Sequence, residues 1–327
     1  MVHLAVAKYG KAAVRVSRIV RHPDGKHDFV EYIVRCLVEG DVARAWTHSD
    51  NAPIVATDSI VRINRYYVPH IFLTSPSQKN TVNIFAKTSP HVLQPESFAL
   101  HLGLHFVTKY AHLNRCSVDI VQLKWSRIQV NGQPHKHSFV RDGDEKRTVS
   151  VVVDATKGKN ALTATCQGGI TGLLCLKTTE SAFEGYVFDE YTTLKPVDDR
   201  IFSTAVDCTY TIPISPSALS ISALPKLGID FDKIYKSVVD TTLEIFATHN
   251  SASVQATLYN MCEKVLNDNK EVSDIKYELP NKHYIAPDLS FFKLKNTDPK
   301  DAEVFTPVDA PSGHIIGLVT REPKAKL

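Results

Sequence analysis

The order of predicted strands and helices occurs twice along the chain, and this repetition constrains the fold more than any single motif does. In the first half, stretches that alternate between apolar and polar residues indicate half-buried strands. A helix is predicted from Pro95-Glu96, with a proline and an acid in its first turn and an aromatic residue or leucine at every fourth position. The four strands of this half fall around residues 13–20, 29–38, 117–130 and 147–155.

The second half repeats the same order. Strands are predicted around residues 161–166 and 201–212, and a helical region extends from 225 to 268 before a last strand leads into Tyr277-Glu278-Leu279. Ser251 or Ser253 can cap the second helix of that region. Strand pairs that enclose helices, repeated twice, predict an α+β fold with antiparallel sheets and helices layered on one face. This pattern indicates a class of fold and leaves the function open.

Composition excludes several classes of protein. The chain has 327 residues, 43% of them hydrophobic, and a net charge of +3 with both signs mixed along its length. A nucleic-acid-binding protein would normally concentrate basic residues on one face, so no nucleic-acid partner is expected. No apolar run approaches the roughly 20 residues that a membrane span needs, and the first residues lack a signal-peptide core. We therefore expect neither a membrane protein nor a secreted one.

Metal and nucleotide signatures are absent from the sequence. The six cysteines are scattered without a C-x-x-C pair, which favours buried free thiols in a reducing compartment. His135 and His137 follow a turn-rich stretch, where a solvated hairpin is favoured over a transition-metal site. Gly168-Gly169 and Gly172 fit neither a P-loop nor a dinucleotide-binding loop. We expect no metal and no nucleotide, flavin or nicotinamide cofactor.

Residues 61–78 interrupt the pattern. They contain two prolines and no acid, and without them Ile60 would precede Val82 and Ala86 at helical spacing. The codons for Val61-Arg62, Leu73-Thr74 and Gln78 can carry the donor, branch and acceptor signals of a short fungal-type intron of 54 nucleotides, which preserves the reading frame. We interpret the segment as an unspliced intron; the alternative is a genuine surface loop.

Six short strings, in the order in which they occur, resemble the urate oxidase (uricase) family. The resemblance extends from about Lys8 to the C-terminus and lapses only at 61–78. It implies two tandem T-fold modules, at residues 1–145 and 146–315, followed by a tail at 316–327, and a homotetramer with active sites at subunit interfaces. The strings are Tyr9-Gly10-Lys11, Val55-Ala56-Thr57-Asp58-Ser59, His137-Ser138-Phe139 running into Arg141-Asp142, Asp189-Glu190-Tyr191-Thr192-Thr193-Leu194-Lys195, Asn250-Ser251-Ala252-Ser253-Val254-Gln255-Ala256-Thr257 and Leu279-Pro280-Asn281-Lys282-His283-Tyr284.

The resemblance implies an activity and the residues that bind its substrate. The family oxidises urate with O2 and water to 5-hydroxyisourate and hydrogen peroxide without a cofactor. By resemblance, Arg200 and Gln255 clamp the edge of urate together with the Val254 backbone, since a guanidinium and an amide match a flat purine anion. Phe183 is expected to stack on the purine, and Leu194 to line the pocket. Glu184 departs from the family, which often has an aromatic residue there.

The resemblance also implies a proton relay. Lys11 and Thr57 form it with His283 behind the lysine, and a lysine acts as a base only when burial or a neighbouring cation favours its neutral form. Asn281 would hold O2 or water over the ring, and Thr57 and Asp58 would reach the site from the neighbouring subunit. Taken singly, each residue has an ordinary alternative: a solvated lysine, a surface ion pair for Arg200, a core position for Phe183 or His283, a turn for Asn281, and a helix cap for Thr57-Asp58.

Two further expectations concern the C-terminal residues and the effect of residues 61–78 on activity. The final Ala325-Lys326-Leu327 is close to a peroxisomal address, which predicts recognition by the peroxisomal import receptor and location in that organelle. The segment 61–78 begins three residues after Asp58, so we expect the full chain to be weakly active or inactive and the chain without it to be active. The alternatives are a catalytically impaired T-fold oligomer and a purine- or pterin-binding relative.

Overall fold

The computed structural model describes residues 2–55, 80–298 and 300–321. The chain forms two compact units, one from residues 1–168 and 211–231 and the other from 169–210 and 232–327. Each unit combines antiparallel strands with helices that pack against them. The predicted α+β class is therefore confirmed, while the expected module boundary near residue 145 stays a prediction.

The first unit contains a sheet in the order β1-β2-β3-β6, with β7 following. A separate hairpin, β4-β5, turns at Asn131-Gly132, both of which have positive φ. The elements are β1 (Lys8–Arg21), β2 (His27–Gly40), α1 (Arg44–Thr47), α2 (Asn80–Thr88), α3 (Pro95–Lys109), β3 (Leu113–Leu123), β4 (Ser126–Val130), β5 (Gln133–Val140) and β6 (Lys146–Asp154). Residues 61–78 lie outside the described residues.

The second unit contains strands in the order β7-β8-β9, and β9 pairs along the rest of its length with β10 and β11. Strands β7 and β8 each begin or end in the first unit. The elements are β7 (Thr163–Lys177), β8 (Phe202–Ile214), α4 (Phe231–Thr248), α5 (Val254–Asp268), β9 (Asp274–Ile285), β10 (Thr306–Val308) and β11 (His314–Thr320).

Each unit buries one 15-residue helix against its sheet, α3 on β3 and β6 and α5 on β9 and β11. In both cases a glycine permits close approach. A Cβ on Gly103 would lie 2.7 Å from a methyl of Val153, and a Cβ on Gly317 would lie 2.5 Å from a methyl of Leu258. The glycine is on the helix in the first unit and on the strand in the second.

Two strand predictions need correction. The stretch 117–130 is not one strand, because β3 ends at Leu123 and β4 pairs with β5 instead of the main sheet. At the break, the Trp125 indole N–H donates to Glu31 at 2.8 Å and the Lys124 ammonium contacts Glu145 at 2.5 Å. The strand predicted at 161–166 continues to Lys177, since Gly172 adopts positive φ and its N–H donates to the Asp207 carboxylate at 2.9 Å.

The helices of the described ranges fall short of a membrane span in length or in apolar character. The hairpin expected around His135 and His137 is confirmed as β4-β5.

Candidate active site

The loop from Phe183 to Val197 forms the first wall of the candidate site. Its two ends are joined by backbone hydrogen bonds in both directions between Phe183 and Val197, at 2.8 and 3.1 Å. At its tip, the Asp189 carboxylate accepts from the backbone N–H of Tyr191 at 3.0 Å and from the Thr192 hydroxyl at 2.8 Å. These bonds explain the Asp189-Glu190-Tyr191-Thr192 string, because aspartate and threonine stabilise turns through such contacts.

Arg200 lies directly beside this loop. Its guanidinium carbon is 5.1 Å from the centre of the Phe183 ring, which is the geometry of a cation–π contact. Burial lowers the pKa of the Arg200 guanidinium, although an arginine keeps its charge in proteins. Among the described residues, no carboxylate forms an ion pair with Arg200. The Arg200 charge is therefore partly buried, and none of the described carboxylates forms an ion pair with it.

The neighbouring Asp199 connects the two segments that carry Phe183 and Arg200. Its carboxylate accepts from the Thr179 hydroxyl at 2.7 Å and from the Ser181 backbone N–H at 3.4 Å. Asp199 directly precedes Arg200, and Ser181 lies two residues before Phe183. The aromatic ring and the guanidinium are thus positioned relative to each other by one carboxylate.

The N-terminus of α5 is tied to the same segment. Ser181 forms a bridge with Ser251, in which the Ala182 N–H donates to the Ser251 carbonyl at 2.8 Å. Ser253 is the N-cap and accepts from the Ala256 N–H at 3.2 Å, which confirms one of the two predicted caps. Val254 is buried and Gln255 is exposed on the first turn. This turn carries backbone N–H groups that favour an anion.

Asn281 and His283 lie at the end of β9, in the wall of a cleft of about 1090 Å3 that Arg200 also lines. The backbone there is fixed, because the Asn281 N–H donates to the Gly313 carbonyl at 2.7 Å and the Thr204 hydroxyl donates to the Pro280 carbonyl at 3.0 Å. The side-chain oxygen of Asn281 is buried and accepts no hydrogen bond from the described residues. A buried amide oxygen in this state is available to a ligand.

Lys11 lies in β1 of the first unit, directly before an irregularity in the pairing of β1 with β2. Ala13 has a φ of 57°, a conformation that non-glycine residues seldom adopt. Bulges of this kind re-aim side chains and occur often near active sites. Gly10 is required by close packing, since a Cβ there would lie 1.9 Å from the Cys36 carbonyl oxygen. This close contact explains why a glycine occupies the middle position of the Tyr9-Gly10-Lys11 string.

The second unit therefore brings together six of the predicted residues around one loop, one helix end and one strand end. They are Phe183, Arg200, Val254, Gln255, Asn281 and His283. Phe183, Val254 and Gln255 are not among the residues that line the cleft itself. Leu194 belongs to the loop but its side chain is half exposed. Lys11 is in the other unit, and Thr57 and Asp58 lie outside the described residues.

Sequence reasoning missed three supporting groups: Asp199, the Ser181–Ser251 bridge and Tyr186. The Tyr186 ring stacks on Phe183 with centroids 4.8 Å apart. Nothing in periodicity or composition indicates these contacts, and only the position of Asp199 next to Arg200 offered a signal. Within the described ranges, no three His, Cys, Asp or Glu side chains are arranged to hold a metal ion.

Comparisons with known proteins agree with this arrangement. The family model "Uricase" matches residues 7–152 and 166–316. The chain is 41% identical to a uricase of Emericella nidulans over 99% of both chains, and 42% identical to a uricase of Aspergillus flavus over 98% of both. It is also similar to the crystal structure of uricase from Arthrobacter globiformis, with a TM-score of 0.81 and 32% identity over 99% of this chain and 97% of that one.

These matches extend over both units of the chain and agree with the two tandem T-fold modules implied by the sequence motifs. A match of this length and identity establishes the family of the chain. The chain belongs to the uricase family.

Proposed function

We propose that this chain is a urate oxidase that converts urate, O2 and water to 5-hydroxyisourate and hydrogen peroxide. The observation that carries the proposal is the Arg200 guanidinium, which lies 5.1 Å from the Phe183 ring without an acidic partner among the described residues. A flat anion that stacks on Phe183 supplies the missing negative charge. Family membership identifies urate as that anion.

Binding uses groups that are already in place. Phe183 stacks on the purine, an interaction worth about 1–3 kcal/mol for a base on an aromatic ring. Arg200 donates to the purine edge, while Gln255 and the Val254 backbone add an amide and an N–H at the N-terminus of α5. Because Ser181, Ser251 and Asp199 fix these segments, little side-chain or loop ordering is left for the binding step.

The chemistry removes two electrons from urate and gives them to O2. A base takes a proton from urate, the electron pair reduces O2 to peroxide, and water adds its hydroxyl to the oxidised purine. Lys11, Thr57 and His283 form the proposed proton relay, and Asn281 holds O2 or water over the ring, with its free side-chain oxygen able to accept a hydrogen bond from the water. No step requires a metal or an organic cofactor.

A homotetramer is proposed as the active form, with Thr57 and Asp58 supplied by a second copy of the chain. An exposed edge supports association. Among the described residues, β11 pairs only with β9, and its Ile316 and Leu318 are 58% and 59% exposed. Open edges of this kind are normally covered in a stable protein.

Peroxisomal location is proposed from the terminal Ala325-Lys326-Leu327, and a fluorescent fusion with and without these residues tests it.

The test is urate consumption, followed by the loss of urate absorbance and by the peroxide formed, in the purified full chain and in a form that lacks residues 61–78. We expect the shortened form to turn over urate and the full chain to be at least tenfold slower, since displacement of a catalytic group by about 1 Å can cost a hundredfold in rate.

The outcomes of this test distinguish the urate oxidase from its alternatives and the intron from a genuine loop. Equal turnover in both forms would identify residues 61–78 as a tolerated loop and contradict the intron interpretation. Binding of urate without turnover in either form would leave a catalytically impaired oligomer. Binding of a pterin in preference to urate would favour a relative with another reaction. Sequencing of the transcript checks the intron independently, because mature mRNA that carries these codons as its main form excludes it.

A further inference from the structure

Three aromatic rings form a continuous stack that begins at Phe183. The Tyr186 ring lies 4.8 Å from Phe183 with 14° between their planes, and the Phe188 ring lies 5.0 Å from Tyr186 with 22° between theirs. These distances and angles are those of offset stacking. Phe188 is more than half exposed, whereas Tyr186 is only partly exposed between its two neighbours.

Tyr186 is also bound by its hydroxyl group. The Tyr186 O–H donates to the Leu194 carbonyl at 2.6 Å, which is a short hydrogen bond across the loop. This contact lies between the Phe183–Val197 backbone pairing at the base and the Asp189–Thr192 turn at the tip. Tyr186 is therefore fixed at both ends, by a ring on one side and by a backbone carbonyl on the other.

We propose that Tyr186 is a positioning residue for urate, because it holds the Phe183 ring and the Leu194 segment in the geometry that receives the purine. The inference rests on the proposed function and deepens it. Tyr186 stacks on the Phe183 ring, and the Arg200 guanidinium lies over the same ring, 5.1 Å from its centre, so the ring is held between two side chains before urate binds. A ring supported from behind keeps fewer conformations before binding, so less conformational entropy is lost when the purine stacks on it.

The proposal distinguishes two roles of Tyr186. Stacking on Phe183 requires an aromatic ring, which phenylalanine also provides, whereas the bond to Leu194 requires the hydroxyl. Tyr186→Phe removes only the bond and Tyr186→Leu removes both contacts. Tyr191→Leu is the matched control, since Tyr191 is in the same loop, is 81% exposed and stacks on no other ring of the described residues.

The experiment measures equilibrium binding of urate to the full-length chain by calorimetry in the absence of O2, so that no turnover occurs. We expect Tyr186→Leu to weaken binding roughly three- to tenfold, which is the range of one aromatic pair. Tyr186→Phe should recover most of this loss and Tyr191→Leu should match the parent. In a form that turns over urate, Tyr186→Leu should raise KM more than it lowers kcat, because Phe183 contacts substrate and transition state alike.

Near-ultraviolet circular dichroism adds a readout that does not depend on urate. The stacked rings should give a signal that Tyr186→Leu removes and Tyr191→Leu keeps. Unchanged urate affinity in a folded Tyr186→Leu variant would overturn the positioning role while the proposed function stands. An equal loss of affinity in Tyr191→Leu would also overturn it. If neither the full chain nor the form that lacks residues 61–78 bound urate, the proposed function would be overturned, and the positioning role with it.

Discussion

The N-termini of helices α3 and α5 occupy corresponding places in the two units and are used in opposite ways. Both helices have 15 residues, and the second residue is Glu96 in α3 and Gln255 in α5. Glu96 is fully buried, and its carboxylate accepts two bonds from Arg147 of β6, at 3.1 and 2.7 Å. Gln255 is exposed, and Arg200 of the same unit makes no ion pair with a described carboxylate.

This difference gives a physical reason to propose that a substrate anion binds beside the N-terminus of α5 and not beside that of α3. A helix N-terminus and a neighbouring arginine together favour a negative charge. In the first unit, the Glu96 carboxylate supplies this negative charge, and it neutralises Arg147 at the N-terminus of α3. In the second unit a neutral amide stands at the same helical position, so the charge can come from a substrate anion.

At the C-termini of the same two helices, a cationic side chain donates hydrogen bonds to backbone carbonyls in both units. The Lys159 ammonium donates to carbonyls in the last turn of α3 and just after it, including Val107 at 2.6 Å and Tyr110 at 3.3 Å. The Arg321 guanidinium donates to Asn269 and Val272 after α5, each at 2.8 Å. A cation that binds the free carbonyls of a helix C-terminus stabilises it in either unit. Helices α3 and α5 are therefore alike in how their C-termini are bound and differ in the residue at the second position of their N-termini.

The largest expected effect comes from replacing Arg147 and Arg200, one at a time, with methionine. Arg147→Met removes two charged hydrogen bonds from the buried Glu96 carboxylate, so we expect a loss of about 3–5 kcal/mol in the free energy of unfolding. Arg200→Met removes a cation–π contact, and stability should change by less than about 1 kcal/mol. Urate affinity should fall roughly a hundredfold in Arg200→Met, because a charged hydrogen-bond partner is lost. Urea unfolding and anaerobic calorimetry measure the two quantities.

The control for this pair is the double variant Glu96→Leu, Arg147→Met. Replacing both members of a buried ion pair with apolar residues is often neutral, so the double variant should recover much of the stability lost by Arg147→Met alone. If Arg147→Met were as stable as the parent, or if Arg200→Met unfolded at lower urea than Arg147→Met, the assignment of a structural role to one arginine and a binding role to the other would be wrong.

The sequence predicted where α3 and α5 begin, but it did not predict that Glu96 is buried and Gln255 exposed. The proline and acid at Pro95-Glu96 predicted the start of α3, and the serines before Val254 predicted the cap of α5, because both signals are local. The acid of α3 was expected to act on the helix dipole from its first turn. Its burial against Arg147, which is 51 residues away in sequence, depends on tertiary packing that no local pattern encodes.

The same limit applies within the candidate site. The Asp189–Thr192 turn and the α5 cap follow from short-range residue chemistry, and the site residues were available only through the family resemblance. The bulge after Lys11, with Ala13 at positive φ, could not be predicted, because alanine is not a residue that signals such a backbone. The break of β3 at Lys124-Trp125 depends on partners in other strands.

Acid should weaken the first unit through α3. Burial lowers the pKa of His105 to about 4, with smaller effects of Lys109 and His101, and the ring lies 4.6 Å from Phe85 of α2. Neutral histidine is the form that the fold favours, so this contribution to stability is complete above pH 6.5. As pH falls from about 6.5 to about 4, the unfolded chain takes up a proton that the folded chain does not, and stability falls by an amount on the order of 3 kcal/mol.

Urea unfolding between pH 7.5 and pH 4.5 measures this dependence, with His105→Gln as the control that should flatten the curve. Burial also lowers the pKa of His101 and of His91, so a smaller slope should persist in the control. The eleventh residue of α5 is Lys264, which pairs with Asp268 at 2.6 Å at the surface, so α5 has no histidine at the position of His105. Parallel curves for parent and His105→Gln would contradict the prediction.

The smallest expected effect tests the comparison most directly, by giving α5 the acid that α3 has. Gln255→Glu places a carboxylate on the first turn of α5, where the helix dipole stabilises it by about 0.3–1 kcal/mol. The same charge repels urate and removes an amide donor, so urate affinity should fall roughly tenfold while stability is unchanged or slightly raised. Gln255→Met, which removes the amide without adding charge, should lose less affinity than Gln255→Glu. If the two variants bound urate equally, charge at this helix end would not be what separates the two units.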